Sequence, residues 1–247
     1  MIDNLVTILI STSPIKSHPG TRIIEKCIDS LRKHFPTAKI VIMADGVREE
    51  QASYSTAYTE YLMRLAMMMN QWSPVVLMPH ARFLHQAEMT RRALESCVDT
   101  PLILFCEHDC FFLSGLPVDW DGLAAMVQSG TANVVNFHCQ WEPWVIPEHQ
   151  HLMLDKERQW FQANGWNVPY LRSIQWTQRP HLASAEFYRK LIQTYFTKDS
   201  RTFIEDRVGP EAKEDWKLTL YVPTGETIRR TWTDDGRGLD PKYPCVF

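Results

Sequence analysis

The sequence has no apolar run near the roughly 18–20 residues that a bilayer-spanning helix needs. Its opening, Met1-Ile-Asp-Asn-Leu-Val, carries neither the basic start nor the small-residue cleavage site of a secretory signal, so a cytoplasmic address is the expectation. Six cysteines in 247 residues, none in a C-x-x-C pair, are too few for a disulfide scaffold, and reduced, mostly buried thiols are expected. An excess of basic charge is also missing. The 26 Lys and Arg stand against 29 Asp and Glu, a net of -3. That excludes a globally basic nucleic-acid coat protein and leaves room only for a local basic patch. Glycine is absent where several nucleotide enzymes require it: the loop after the first apolar segment reads Ser11-Thr-Ser-Pro14, with no glycine before Gly20. A Rossmann dehydrogenase or methyltransferase needs a glycine-rich turn there for the backbone to approach a phosphate. No P-loop and no G-x-S-x-G nucleophile elbow occurs either.

What remains is a folded α/β chain. At 45% hydrophobic and 22% charged residues, disorder and coiled-coil classes are excluded. Residues 5–10 (Leu-Val-Thr-Ile-Leu-Ile), 39–44, 75–78 and 101–106 are short continuous apolar runs, the form of strands buried on both faces. Between them, apolar residues at Ile24, Cys27, Ile28, Leu31 and Phe35 have helical spacing. So do Tyr54, Tyr58, Tyr61, Leu65, Met68 and Met69, read as core packing, and a third helix is predicted over 84–97. Alternating strands and helices of this kind predict a doubly wound, mostly parallel sheet. The second half is less regular: a strand at 134–137, helices at 151–163 and 184–196, and a weaker strand at 170–176. Seven of the nine tryptophans lie from Trp141 onward. No linker or repeat separates the halves. One compact domain, 1–247, is expected, with a nucleotide-binding half at 1–113 and a half at 114–247 that completes the pocket.

Ligands in open α/β sheets bind beyond the carboxyl ends of the strands. The most apolar strand runs directly into Glu107-His108-Asp109. On a continuing strand Glu107 and Asp109 share a face, with Cα atoms roughly 6.6 Å apart, within joint reach of one hard cation. Cys106, His108 and Cys110 raise the question of zinc. On a straight strand the two cysteines lie roughly 13 Å apart, too far to share it, so such a site would require a sharp turn at Asp109.

The succession of a strand ending in Ser11-Thr-Ser-Pro14, a strand ending in Asp45-Gly46, a helix with Thr90-Arg-Arg-Ala-Leu94 and then Leu102-Ile-Leu-Phe-Cys-Glu-His-Asp109 resembles the nucleotide-sugar glycosyltransferases of the GT-A fold. Family-2-like members are the best match, over about residues 3–113. The resemblance implies a Rossmann-like α/β fold, mostly parallel and flanked by helices, with a less regular acceptor-side half. It implies a metal-dependent transfer of sugar from a nucleotide-diphosphate sugar to an acceptor hydroxyl, with inversion. The family's acidic motif is usually Asp-x-Asp, so Asp109 is the safer ligand for Mn²⁺ or Mg²⁺ and Glu107, a departure, the less certain one.

By the same resemblance Thr12, Ser13 and Pro14 line the nucleotide, Asp45 faces its base or ribose, and Arg91 or Arg92 approaches the diphosphate. The catalytic base is expected in the pair Glu205-Asp206, with Asp234-Asp235 as a rival in a turn-like glycine setting. In Gln178-Arg-Pro-His181, Arg179 is a candidate for phosphate and His181 for the metal or diphosphate; a capping loop before a helix started by Ser184 is the plain alternative. The acceptor is expected to be a glycan, a small molecule or a hydroxymethylated DNA base, the last by likeness to phage-encoded transferases. DNA would require a basic rim, for which Lys156, Arg158, Arg172, Arg189, Lys190, Arg229 and Arg230 are the candidates. Trp141 and Trp144 are candidates for stacking on a sugar or base. A nucleotidyltransferase and a non-catalytic nucleotide-sugar-binding protein are the alternatives of other classes.

Overall fold

The continuous apolar runs of the first half become four parallel strands: β1 (Val6–Thr12), β2 (Lys39–Ala44), β3 (Val75–Pro79) and β4 (Leu102–Glu107). They pair in the order β3-β2-β1-β4, with β1 and β4 almost wholly buried. The computed structural model describes residues 2–138, 147–198, 200–224 and 229–233.

Strand alternation decides the packing. Val6, Ile8, Ile10, Ile40, Ile42, Leu102 and Leu104 point to one face. There they meet α1 (Arg22–His34) through Ile24, Cys27, Ile28 and Leu31, α2 (Ser55–Met68) through Tyr58, Tyr61 and Leu65, and α4 (Trp120–Gln128). The intervening residues Leu9, Val41, Met43, Ile103 and Phe105 point to the other face. These pack on α3 (His85–Ser96) and α5 (Ala185–Tyr195). Period-2 strands under period-3.6 helices thus give two cores, one on each side of the sheet.

The second half extends this sheet. The short strand β5 (Cys110–Phe112) leaves it. Strands β6 (Val134–Asn136), β7 (Gln159–Ala163), β8 (Trp166–Ser173), β9 (His181–Ser184) and β10 (Leu218–Tyr221) complete a nine-stranded sheet, β3-β2-β1-β4-β9-β6-β10-β8-β7. β9 runs antiparallel between β4 and β6, and β10 is parallel to β6. The loop expected before α5 is therefore this strand, and Ser184 caps the helix as expected, its Oγ accepting the Phe187 N–H.

One expectation fails outright. Residues 151–163 are not a helix: they hold the end of a short 3-10 helix at 147–152 and then β7, hairpinned to β8. The cause is Asn164-Gly165, both at positive φ (52° and 86°), a two-residue turn whose twist matches antiparallel strands. The Trp160-Phe161-Gln162 alternation, with only Phe161 buried, is a strand edge.

A second glycine is required by close approach. A Cβ on Gly46 would lie 2.2 Å from the Arg82 carbonyl carbon, because the chain entering α3 crosses directly over the end of β2. Gly46→Ala is expected to destabilise the protein by more than about 3 kcal/mol, since the obstacle is backbone rather than a side chain that can rotate away. A denaturant melt within about 1 kcal/mol of the native protein would contradict that crossing.

Among the described residues no helix is long and apolar enough to cross a membrane.

Candidate active site

The loops at the carboxyl ends of β1, β2 and β4 converge, as parallel strands require. Ser11, Thr12 and Ser13 from β1, Asp45 from β2 and Glu107, His108 and Asp109 from β4 line one cleft, joined by Arg48, His85, Gln86 and Phe203. The β1 tip is held from behind, since Thr12 Oγ1 shares a 3.2 Å hydrogen bond with Tyr61 Oη and the His18 ring stacks on Tyr61 at 3.9 Å.

The acidic motif does not stay extended. β4 ends at Glu107, residues 108 and 109 turn, and Cys110 begins β5, which pairs with β11 (Thr231–Thr233). The straight-strand geometry expected for 107–109 is thus corrected to a turn, drawn away by the β5–β11 ladder. The carboxylates nevertheless converge: Glu107, Asp109 and Cys110 each offer a donor atom, all within 4.8 Å of one another. Burial, then the Asp109 and Glu205 charges, push the Glu107 carboxyl up to about 7, with the Arg179 guanidinium opposing them. Like charges crowded into a half-buried turn are relieved by a bound cation. A second sign of a ligand lies beside them. His108 is 8% exposed, lines the cleft, and its Nε2 has no hydrogen-bond partner among the described residues. The donor set fits a divalent metal carrying an oxyanion.

Glu205 reaches this cluster through contacts that sequence spacing does not reveal. It sits on the single turn α6 (Ile204–Val208), whose Ile204 N–H donates to the buried Gln86 Oε1 at 3.0 Å. The Gln178 N–H donates to Glu205 Oε2 at 3.2 Å, and Gln86 Nε2 donates to Gln178 Oε1 at 3.3 Å. Gln86 thereby joins the cleft to the segment that carries Glu205. Asp206 is exposed and its charge is felt at His85 instead. Arg179 is exposed, close enough to Glu107 to favour its ionised form.

Asp45 has a structural duty. Its carboxylate accepts the backbone N–H groups of Gly46, Leu84 and His85 at 2.7–3.0 Å, anchoring the start of α3 from across the sheet. That arrangement holds His85 at φ 65°, a left-handed conformation unusual for a residue other than glycine, with its ring 4.2 Å from Phe203. His85, Gln86, Arg48 and Phe203 were not candidates from the sequence. No residue pattern announces them, because each is brought in by the crossing of the 82–86 segment over β2 or by the approach of α6.

Several expected site residues lie elsewhere. His181 is not placed to bind metal or diphosphate. It is 1% exposed within β9, its Nδ1–H donates to the Arg179 carbonyl at 2.7 Å, and its Nε2 lies 3.2 Å from Tyr188 Oη. Phe105 and Tyr188 flank its ring. Burial holds its pKa down at about 4. The unfolded chain protonates near 6.5, so His181 contributes stability that is complete above about pH 6.5 and is lost as pH falls toward 4. Long-range proton–nitrogen NMR should show a neutral His181 ring at pH 5.5; titration near 6.5 would contradict its burial. Arg91 and Arg92 also lie off the cleft lining, both ion-paired to the buried Glu88 at 2.6 and 2.8 Å. Pro14 is buried beside the cleft rather than lining it, its carbonyl accepting from Gln51.

Five of the seven candidate rim cations are buried or engaged by other groups. Arg229 and Arg230 are 1% and 4% exposed, Arg189 donates to the Leu94 and Val98 carbonyls, Lys190 pairs with Glu186, and Arg172 pairs with Asp155. Trp141, Trp144 and the Asp234-Asp235 pair lie outside the described residues.

No protein-family model matches the sequence, and no curated protein matches it significantly. The fold does match solved structures. TarS of S. aureus (residues 1–349) in complex with UDP-GlcNAc superposes with a TM-score of 0.60 at 12% identity, over 95% of this chain and 59% of that one. GalNAc-T7 with UDP, GalNAc and Mn²⁺ gives 0.55 at 12% identity, over 87% and 42%. The mannosyltransferase PcManGT of Pyrobaculum calidifontis with GDP-Man and Mn²⁺ gives 0.50 at 13% identity, over 89% and 57%. The chain spans between about a third and three fifths of the length of these glycosyltransferase structures and of the longer TarS structure. The expected GT-A fold is thus the observed one: a mixed sheet, mostly parallel at its core, flanked by helices.

Proposed function

We propose that the protein is a metal-dependent glycosyltransferase that moves a sugar from a nucleotide-diphosphate sugar to an acceptor hydroxyl, with inversion. The observation that carries this reading is the convergence of Glu107 and Asp109 in the cleft at the carboxyl ends of β1 and β4, with Glu205 near enough for its charge to act on Glu107, on the fold shared with enzymes solved with UDP-GlcNAc and GDP-Man. Asp109 and Glu107 would hold Mn²⁺ or Mg²⁺. When bound, such an ion supplies charge stabilisation to the departing diphosphate.

The chain's own residues do the rest. Ser11, Thr12 and Ser13 form the floor on which the nucleotide rests, and Arg179 offsets negative charge beside Glu107. Glu205, rather than the exposed Asp206, takes the acceptor's proton at its carboxylate, which the Gln178 N–H holds through Oε2. The acceptor is a hydroxyl of a glycan or small molecule. The burial of Arg229 and Arg230 argues against a DNA base, which would require exposed cations on its phosphates.

Thermal shift tests the donor reading: UDP-, GDP-, ADP- and CMP-linked sugars, each with Mn²⁺ and with EDTA. A metal-dependent rise in melting temperature for one nucleotide supports the site and names the carrier. No shift with any of them would favour a protein that does not use nucleotide sugars.

A further inference from the structure

We infer that Cys110 is a third donor to the cation held by Glu107 and Asp109, so that the site is carboxylate–thiolate and selects a thiophilic divalent metal such as cobalt or zinc over magnesium. The inference rests on the donor-site reading above and extends it to the identity of the ion.

The geometry comes from the turn at 108–109. On a straight strand the Cys110 side chain would point to the face opposite the two carboxylates. The turn instead brings Sγ to 3.7 Å from Asp109 Oδ1. Oxygen and sulfur bound to one tetrahedral ion at about 2.1 and 2.3 Å are about 3.6 Å apart. The pair already has the separation of two ligands in one coordination sphere. Across all three donors the limit is 4.8 Å, against the about 4.4 Å spanned by oxygen and sulfur on opposite sides of an ion. Rotation of the half-buried Glu107 carboxylate closes that difference.

The thiol is also held in place. Cys110 pairs with Thr233 across the β5–β11 ladder and is 3% exposed, and Thr233 Oγ1 lies 3.3 Å from its sulfur. A buried, backbone-anchored sulfur is shielded from bulk water, and the half-buried carboxylates face the cleft. His108, in the same cleft lining, carries a buried Nε2 with no hydrogen-bond partner among the described residues, a polar atom that a ligand there would satisfy.

Chemistry then chooses the ion. Magnesium keeps oxygen ligands and its waters, whereas a thiolate favours softer ions. Coordination converts Cys–SH and M²⁺ to a Cys–S–M bond and one proton released to water, with no change of oxidation state. The Arg179 guanidinium near Glu107 offsets the added negative charge.

Cobalt reports thiolate ligation directly. Co²⁺ titrated alone into the full chain should give a thiolate-to-cobalt charge-transfer band that saturates at one ion per chain. Cys110→Ser should remove the band and weaken Zn²⁺ binding at least about tenfold, the lower end of what losing even an indirect partner costs. Asp109→Asn, on the turn and with Cys110 intact, should also remove it, which keeps the test decisive if the serine variant folds poorly. Co²⁺ binding without the band, or a band that survives Cys110→Ser, overturns the thiolate proposal and leaves the donor-site reading standing; a band that survives Asp109→Asn overturns the shared carboxylate–thiolate site. Failure of the native protein to bind Co²⁺ or Mn²⁺, even with a UDP-sugar or GDP-sugar present, overturns both.

Discussion

Asp109→Asn should abolish the metal-dependent stabilisation of the protein by its nucleotide sugar. A donor present at 100 times its Kd stabilises the folded state by about 2.7 kcal/mol. For a chain of this size that raises Tm by roughly 5–10 °C. Asparagine preserves the size of the side chain at the 108–109 turn but removes one of the two carboxylates that converge there. It should therefore leave the Tm of the ligand-free protein near its native value and eliminate the increment from donor plus Mn²⁺. Glu107 provides an internal check: with one of the two charges that raise it removed, its pKa falls from about 7 toward the ordinary carboxylate range. A full donor-dependent rise in the Asp109→Asn protein would show that the metal and diphosphate bind elsewhere.

Glu205→Gln separates binding from chemistry. The amide retains the size of the side chain and its acceptor oxygen for the Gln178 N–H, so the 203–208 segment should stay in place. It cannot take a proton. Transfer, followed as release of the nucleoside diphosphate with acceptor present, should fall by about 10²–10⁴-fold, the usual contribution of a positioned base. The donor's thermal shift should persist. Asp206→Asn should transfer sugar as the native protein does, because that carboxylate is exposed and turned toward His85 rather than Glu107. The reverse result, with Asp206→Asn inactive and Glu205→Gln active, would move the base by one residue. Loss of the donor shift in Glu205→Gln would instead make Glu205 part of the metal site.

The parallel half of the fold was legible because its strands are buried on both faces. Continuous apolar runs such as 39–44 can be little else, and that run is β2 residue for residue. Helices α1 to α3 follow from one-sided periodicity. The hairpin β7–β8 was missed for an equally physical reason: residues 151–163 contain apolar residues at a spacing that a helix also allows, and the deciding feature was the Asn164-Gly165 turn beyond their end.

Asp109 and Glu107 could be named as a pair because two acids following the most apolar strand have a cost that only a ligand or counter-charge removes. Their neighbours are another matter. Glu205 lies 98 positions beyond Glu107 and meets it through Gln86 and Gln178, whose amide contacts leave no trace in local composition. His181 looked like a ligand beside Arg179 because a polar motif reads the same whether it opens a loop or enters a strand. β9, wedged antiparallel between β4 and β6, buried it. Hydrophobic period and the intrinsic cost of buried charge are local quantities, carried by the chain wherever it goes; they marked the parallel strands β1 to β4, helices α1 to α3 and the acidic residues at the end of β4. Which distant groups share that tip, and that Cys110 turns back toward it while His181 turns away, depended on strand order and ladder pairing, long-range contacts that exist only once the sheet has closed.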